Sequence, residues 1–136
     1  MLQRALLLSG PSTDLNRIGD PVPISDGMGS PARNITVAVY PSRLTGTVHI
    51  EATLLADPGD GDWFDLVAPV SFSAPRGDVI GAGRGTTTDQ RPVVVNTKAN
   101  VVAVRARLDR SGLPAPVAPI SVTDTYGGVD RVIMIA

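Results

Sequence analysis

The chain has no cysteine, which excludes disulfide frameworks, thiolate nucleophiles and cysteine-based metal sites. Its only glutamate is Glu51, its only lysine Lys98 and its only histidine His49. The other acids are aspartates and the other bases arginines. Helix surfaces normally carry Glu and Lys, whose straight stems lose little rotamer freedom there, whereas Asp favours turns and caps. With 14 Gly and 12 Pro in 136 residues, long helices are not expected. Net charge is −1, so there is no broad basic face to draw in nucleic acid or an anionic membrane. No long apolar run exists either. Met1 to Leu8 offers one basic residue and then a four-residue apolar stretch. A signal peptide needs about 7–15 apolar residues and a membrane helix about 20. The chain is therefore expected to be made and kept in a cytoplasm.

What is present is period-2 alternation, which sends every second side chain to one face of a strand. In Asn34–Tyr40, Ile35, Val37 and Val39 share a face. In Thr47–Leu55, Val48, Ile50, Ala52 and Leu54 point inward, and Thr47, His49, Glu51 and Thr53 point toward water. In Val101–Arg110, Val102, Val104, Ala106 and Leu108 face in, with Arg105, Arg107 and Asp109 out. Further strands are expected at Leu2–Leu8, where Arg4 falls on the apolar side and Leu7 on the polar one, at Trp63–Val67 and at Pro92–Asn96. Val129–Ile135 is apolar on both faces apart from Asp130 and Arg131, the mark of a strand covered on both sides or placed at an assembly contact. Shorter pieces are expected at Val70–Ser73 and Pro119–Val122.

Turn chemistry separates these segments. Pro41–Gly46 forms a hairpin-like loop, and Asp57–Asp62 supplies Gly and Pro for a second turn. Short strands at regular spacing predict one all-β domain over residues 1–136, an antiparallel β-sandwich of jelly-roll or immunoglobulin-like type. Within it, residues 1–33 read as an N-terminal strand and extended arm, and 34–136 as the core sandwich. Ser9–Arg33 and Ser73–Arg91 read as two long Gly/Pro-rich loops, of the length that usually carries function.

The residues that carry chemistry are few. A nucleophile normally needs a neighbouring base, most often His. His49 stands beside Glu51 on a water-facing strand with no G-x-S-x-G motif, and reads as an ordinary surface residue. Asp57, Asp60 and Asp62 are the one cluster of carboxylates close in sequence and a candidate for calcium, with Gly59 and Gly61 permitting the bend. Their spacing does not match an EF-hand, and they read first as a turn. Val79–Gly85 superficially resembles a dinucleotide-binding turn, but Thr86 stands where the third glycine belongs and no helix pattern follows. Trp63 offers a ring for stacking on a sugar, although the scarcity of aromatics assigns it to the core. Arg105 and Arg107 would grip an acidic partner or, more simply, pair with acids across the strand. No cofactor is expected.

The runs Asn34-Ile-Thr-Val-Ala-Val and Thr47-Val-His-Ile-Glu-Ala, then Gly61-Asp-Trp-Phe-Asp-Leu, then Asn100-Val-Val-Ala-Val-Arg-Ala-Arg-Leu-Asp109, form a plan over about Asn34–Arg110. It resembles small β-sandwich virion proteins of tailed bacteriophages and gene-transfer particles, among them capsid decoration (cement or head-spike) proteins and tail components. The resemblance implies a non-enzymatic virion protein that binds the major capsid protein or other virion proteins and copies of itself. It implies no nucleic acid, membrane or small-molecule substrate. The N-terminal segment, the 73–91 loop and the C-terminal strand would make the contacts, and both terminal strands would be free to pair with a neighbour's sheet. Candidate surface residues are Leu2, Arg4, Arg84, Arg105, Arg107 and Arg131. Discoidin-like carbohydrate binders show similar strands, so the alternative is a carbohydrate-binding module at a tail or spike tip using Trp63.

Overall fold

A computed structural model describes residues 3–10, 14–24, 31–73, 86–87, 91–117 and 122–136. Leu2, Arg84, the glycine run 79–85 and most of the expected 119–122 strand lie outside the described residues. The elements in chain order are β1 (Arg4–Ser9), β2 (Arg17–Ile18), β3 (Val22–Pro23), β4 (Arg33–Ser42), β5 (Gly46–Thr53), β6 (Phe64–Asp65), β7 (Val70–Phe72), β8 (Thr86–Thr87), β9 (Val93–Ala99), β10 (Ala103–Asp109), α1 (Val122–Tyr126) and β11 (Gly128–Ile135). Among the described residues no helix is long and apolar enough to cross a membrane.

The strands build two facing sheets. One runs β1-β11-β4-β9; the other runs β2-β10-β5-β7-β8, with β3 also on β10 and β6 also on β5. If β2 with β3, and β6 with β7, are each counted as one position and the two-residue β8 is set aside, eight positions remain. The first, eighth, third and sixth positions then lie side by side in one sheet, and the second, seventh, fourth and fifth in the other. That order is the jelly roll, one of the two sandwich types the sequence allows. All the described pairings are antiparallel except β7 with β8.

The inward rows of the long strands form the core. Ile35, Val37 and Val39 of β4, Val48, Ile50 and Ala52 of β5, and Val104, Ala106 and Leu108 of β10 are buried as the alternation predicts. Val132 and Met134 of β11, beside β4, complete it. Strand β1 departs from the expected pattern. Its register with β11 shifts between Leu6 and Leu8, so Leu7 and Leu8 are both buried while Leu6 is exposed. A bulge of this kind breaks strict alternation, and it places Arg4 with Leu6 on the outer face rather than on the core side.

Strands of the N-terminal segment are paired into both sheets. Strand β1 pairs with β11, and β2 and β3 both pair with β10 inside the expected 9–33 loop. Two-residue strands are too short to leave a periodic signal. The C-terminal strand likewise has neighbours on both sides, β1 and β4. Its backbone is therefore occupied and cannot add to another sheet. Val122, expected in a strand, opens the single turn of α1.

One buried polar residue ties the loops at the end of the sandwich. Arg110 is 2% exposed. Its Nε donates to Leu15 O at 2.9 Å, Nη1 to Gly127 O at 3.0 Å and Nη2 to Asp14 O at 3.0 Å. Its backbone N–H donates to Asn16 Oδ1 at 2.8 Å. Gly46, at φ +147°, lies against the Arg110 stem, where a Cβ would come within 2.6 Å of Cγ. Burial pushes the guanidinium below its ordinary pKa.

Candidate functional site

The sandwich presents two outer sheet faces of opposite character. On the β10–β5 side the outward residues are polar and bound to one another. Glu51 bridges two cations, with Arg105 Nε at 2.9 Å from Oε1 and Arg107 Nε at 3.0 Å from Oε2. Arg107 also reaches Asp109 at 3.5 Å. His49 lies between Asp65 and Asp109, with Nδ1 2.8 Å from Asp65 Oδ1 and Nε2 3.7 Å from Asp109 Oδ2. Thr47 and Ser71 bond hydroxyl to hydroxyl at 3.0 Å. Cross-strand register explains the grouping: Glu51 faces Arg105 and Asp65, and His49 faces Arg107.

Three expectations change here. Glu51 and Thr53 do not face water but are buried, Glu51 between Arg105 and Arg107 and Thr53 with its hydroxyl accepting from the Leu55 N–H at 3.2 Å. Leu54 is 62% exposed, since β5 ends at Thr53 and the alternation stops with it. Trp63 is outside the core cluster; its ring lies under the Arg105 guanidinium, 4.2 Å from centroid to Cζ. The aromatic that does enter the core is Phe72.

The Asp109 carboxyl is held below its usual range, first by the Ser111 hydroxyl and backbone N–H, at 2.7 and 2.9 Å, and then by the charges of Arg107 and His49. Asp62 accepts from Gly59 N–H at 2.8 Å and so closes its own turn. Among the described residues no group of three acidic or histidine side chains converges to hold a metal, so Asp57, Asp60 and Asp62 do not assemble as a calcium site.

The outer face of the β1-β11-β4-β9 sheet is different. Register aligns Leu6 with Ile133, Ile133 with Ala38 and Ala38 with Val94, giving one apolar row across all four strands. Its ends stand open, with Leu6 53% and Val94 55% exposed, and Ile135 beside it is 41% exposed. Cations flank the row. Arg4 pairs with Ile135, Lys98 with Asn34, and Arg131 stacks on the Tyr40 ring at 4.4 Å. A shallow depression of about 460 Å³ lies between Arg4 and Arg131 over Leu6 and Ile133.

Of the candidate surface residues, the structure thus joins Arg4 and Arg131 on one face and puts Arg105 and Arg107 on the opposite one, already paired. Tyr40, Ala38, Val94 and Ile133 were not singled out by the sequence, although the two-sided apolarity of Val129–Ile135 was their signal. On the outer side of that strand Ile133 is half-buried and Ile135 exposed. Comparison with protein-family models, with curated proteins and with solved structures finds no match to the chain.

Proposed function

We propose that the chain is a non-enzymatic assembly protein that docks onto a larger protein through the outer face of the β1-β11-β4-β9 sheet. The observation that carries this is the open apolar row Leu6–Ile133–Ala38–Val94, rimmed by Arg4, Arg131 and Lys98. Contiguous apolar surface rimmed by charge is costly to leave in water and marks contact sites on soluble proteins. Arginine stacked on tyrosine is a frequent interface anchor, and the cations favour a partner with carboxylates around an apolar centre. In the specific form implied by the bacteriophage resemblance, the partner is the major capsid protein and the chain decorates the particle. The jelly roll serves viral capsid and lectin domains alike, so the fold is compatible with this role without selecting it.

An enzymatic role for His49 has less support. Both its ring nitrogens face carboxylates, and the nearby hydroxyls of Thr47 and Ser71 bond to each other. A sugar platform at Trp63 has less support too, because Arg105 occupies one face of the ring.

The test is to purify particles from the producing cell and compare the wild-type chain with the Leu6→Asp/Ile133→Asp double variant. Fixed stoichiometry with the capsid protein, lost in the double variant at unchanged circular dichroism, is the expected result. Particles lacking the chain, or retaining the folded double variant at full occupancy, refute the reading.

A further inference from the structure

We propose that the chain pairs with a second copy of itself along β9, antiparallel about a two-fold axis at Asn96, so that two four-stranded sheets become one. This rests on backbone geometry and does not depend on what the apolar face binds.

The direction of the free hydrogen-bonding groups follows from the ladder. Gln3 and Ala136 exchange both backbone bonds, at 2.7 and 2.9 Å. Bonded pairs in an antiparallel ladder recur at every second residue. In the observed register Ala5 therefore bonds Met134, while Ile133 and Ile135 bond Ala38 and Thr36 of β4. The next ladder must then use Ile35, Val37 and Val39 of β4 with Thr97, Val95 and Val93 of β9. The N–H and C=O groups of Val94, Asn96 and Lys98 are left pointing away from the sheet. Among the described residues no strand pairs with that side of β9.

The edge suits a strand and stops cleanly. Val93-Val94-Val95-Asn96-Thr97 is rich in β-branched residues and uncharged. Pro92 stands at the next outward position and has no N–H to offer, which ends the ladder there. The core is also unfinished on this flank. Val93, Val95 and Ala99 pack on the core cluster but remain partly exposed, whereas Ile35, Val37 and Val39 on the adjoining strand are fully buried. A strand laid beside β9 would cover them.

A second copy fits because the edge is self-complementary. With Asn96 opposite Asn96 of the partner subunit, Val94 faces Lys98 of the partner subunit and every outward N–H meets a C=O. Val95 then faces Thr97 of the partner subunit, and no like charges oppose. The Thr36 hydroxyl holds the Asn96 amide oxygen at 2.8 Å, which orients the side chain at the dyad. Such an isologous contact closes on itself and yields a dimer, not a fibre.

Sedimentation of the full chain across a concentration series tests the proposal through register-specific charges. Val94→Lys places lysine opposite lysine twice per dimer and should raise the dissociation constant about tenfold, whereas Val94→Glu places glutamate opposite lysine and should leave it equal or lower. Asn96→Pro removes the central N–H, which makes no bond to β4, and should give a monomer. A wild-type chain that stays monomeric to millimolar concentration overturns the proposal. So does a dimer on which Val94→Lys and Val94→Glu act alike.

Discussion

Replacing Arg110 asks whether one buried side chain holds the loop end of the sandwich together. Its guanidinium makes three well-formed bonds to the carbonyls of Asp14, Leu15 and Gly127, and a longer one of 3.4 Å to Tyr126 O. Bonds from a charged donor contribute about 1.5–3 kcal/mol each, but carbonyls in loops regain water once the side chain is gone. The expected net loss for Arg110→Met is about 3 kcal/mol. Methionine keeps most of the stem against Gly46 while removing every donor, so this loss isolates the hydrogen bonds. Arg110→Ala also removes the packing and should cost about 1–2 kcal/mol more. For a domain of this size, 3 kcal/mol corresponds to a drop in melting temperature of roughly 12 °C. Urea unfolding followed by both Trp63 fluorescence and circular dichroism gives the free energies, with coincident transitions and unchanged slopes as the check on two-state behaviour. An opposing effect makes the test sharp. Burying a cation is itself costly, and replacing buried charge by apolar side chains is often neutral. An Arg110→Met protein within about 0.5 kcal/mol of wild type would mean that this cost cancels the carbonyl bonds, and the residue would not be a tie.

Glu51→Gln keeps the shape of the bridge but removes its charge between Arg105 and Arg107; a loss of about 1–3 kcal/mol by urea unfolding is expected, discounted for the partial exposure of Arg107. No change would make the bridge a passive contact. Asp109 has a depressed folded pKa, so the stability it contributes is present above its unfolded value of about 4 and is lost as pH falls through the lower folded value. Ser111→Ala removes the largest cause of the depression and should move the Asp109 carboxyl titration, followed by NMR, back toward that ordinary value; an unmoved titration would put the depression on the backbone N–H of residue 111 and the charges of Arg107 and His49.

The parts of the fold legible in the sequence are those where alternation runs unbroken. Ile35, Val37 and Val39, or Val104, Ala106 and Leu108, are placed correctly because side chains on a pleated strand have a period of two and nothing interrupts it. Leu6 and Leu7 are misplaced because a bulge adds one residue without leaving a compositional mark. Glu51 is misplaced for another reason: hydropathy treats a carboxylate as a surface group, and its burial depends on two arginines 54 and 56 residues away. Arg110 was invisible as a tie since its acceptors are backbone carbonyls, which every sequence possesses. The contact surface was half legible. Apolarity on both sides of Val129–Ile135 announced an unusual outer face, but only the strand order reveals that Leu6, Ala38 and Val94 extend it. The same strand order encloses the C-terminal strand and leaves β1 and β9 as the two edges of its sheet.

The two proposed contacts constrain each other geometrically. A two-fold axis relating antiparallel strands at a directly opposed pair runs normal to the sheet, and directly opposed side chains project on the same side. Pairing at Asn96 would therefore keep the apolar rows of both copies on one side of the joined sheet, with the Val94 ends nearest the axis and the Leu6 ends farthest from it. The paired faces would meet a repetitive partner surface as a bivalent unit, and the second engagement would be intramolecular. A weak individual docking face would suffice on a lattice and fail on an isolated partner. The charged face of each copy, its arginines held by Glu51, would point the other way, toward solvent. An arrangement about an axis lying in the sheet would instead turn the two apolar rows to opposite sides and forfeit that bivalence. The antiparallel register and the same-sided docking face therefore follow from a single symmetry element.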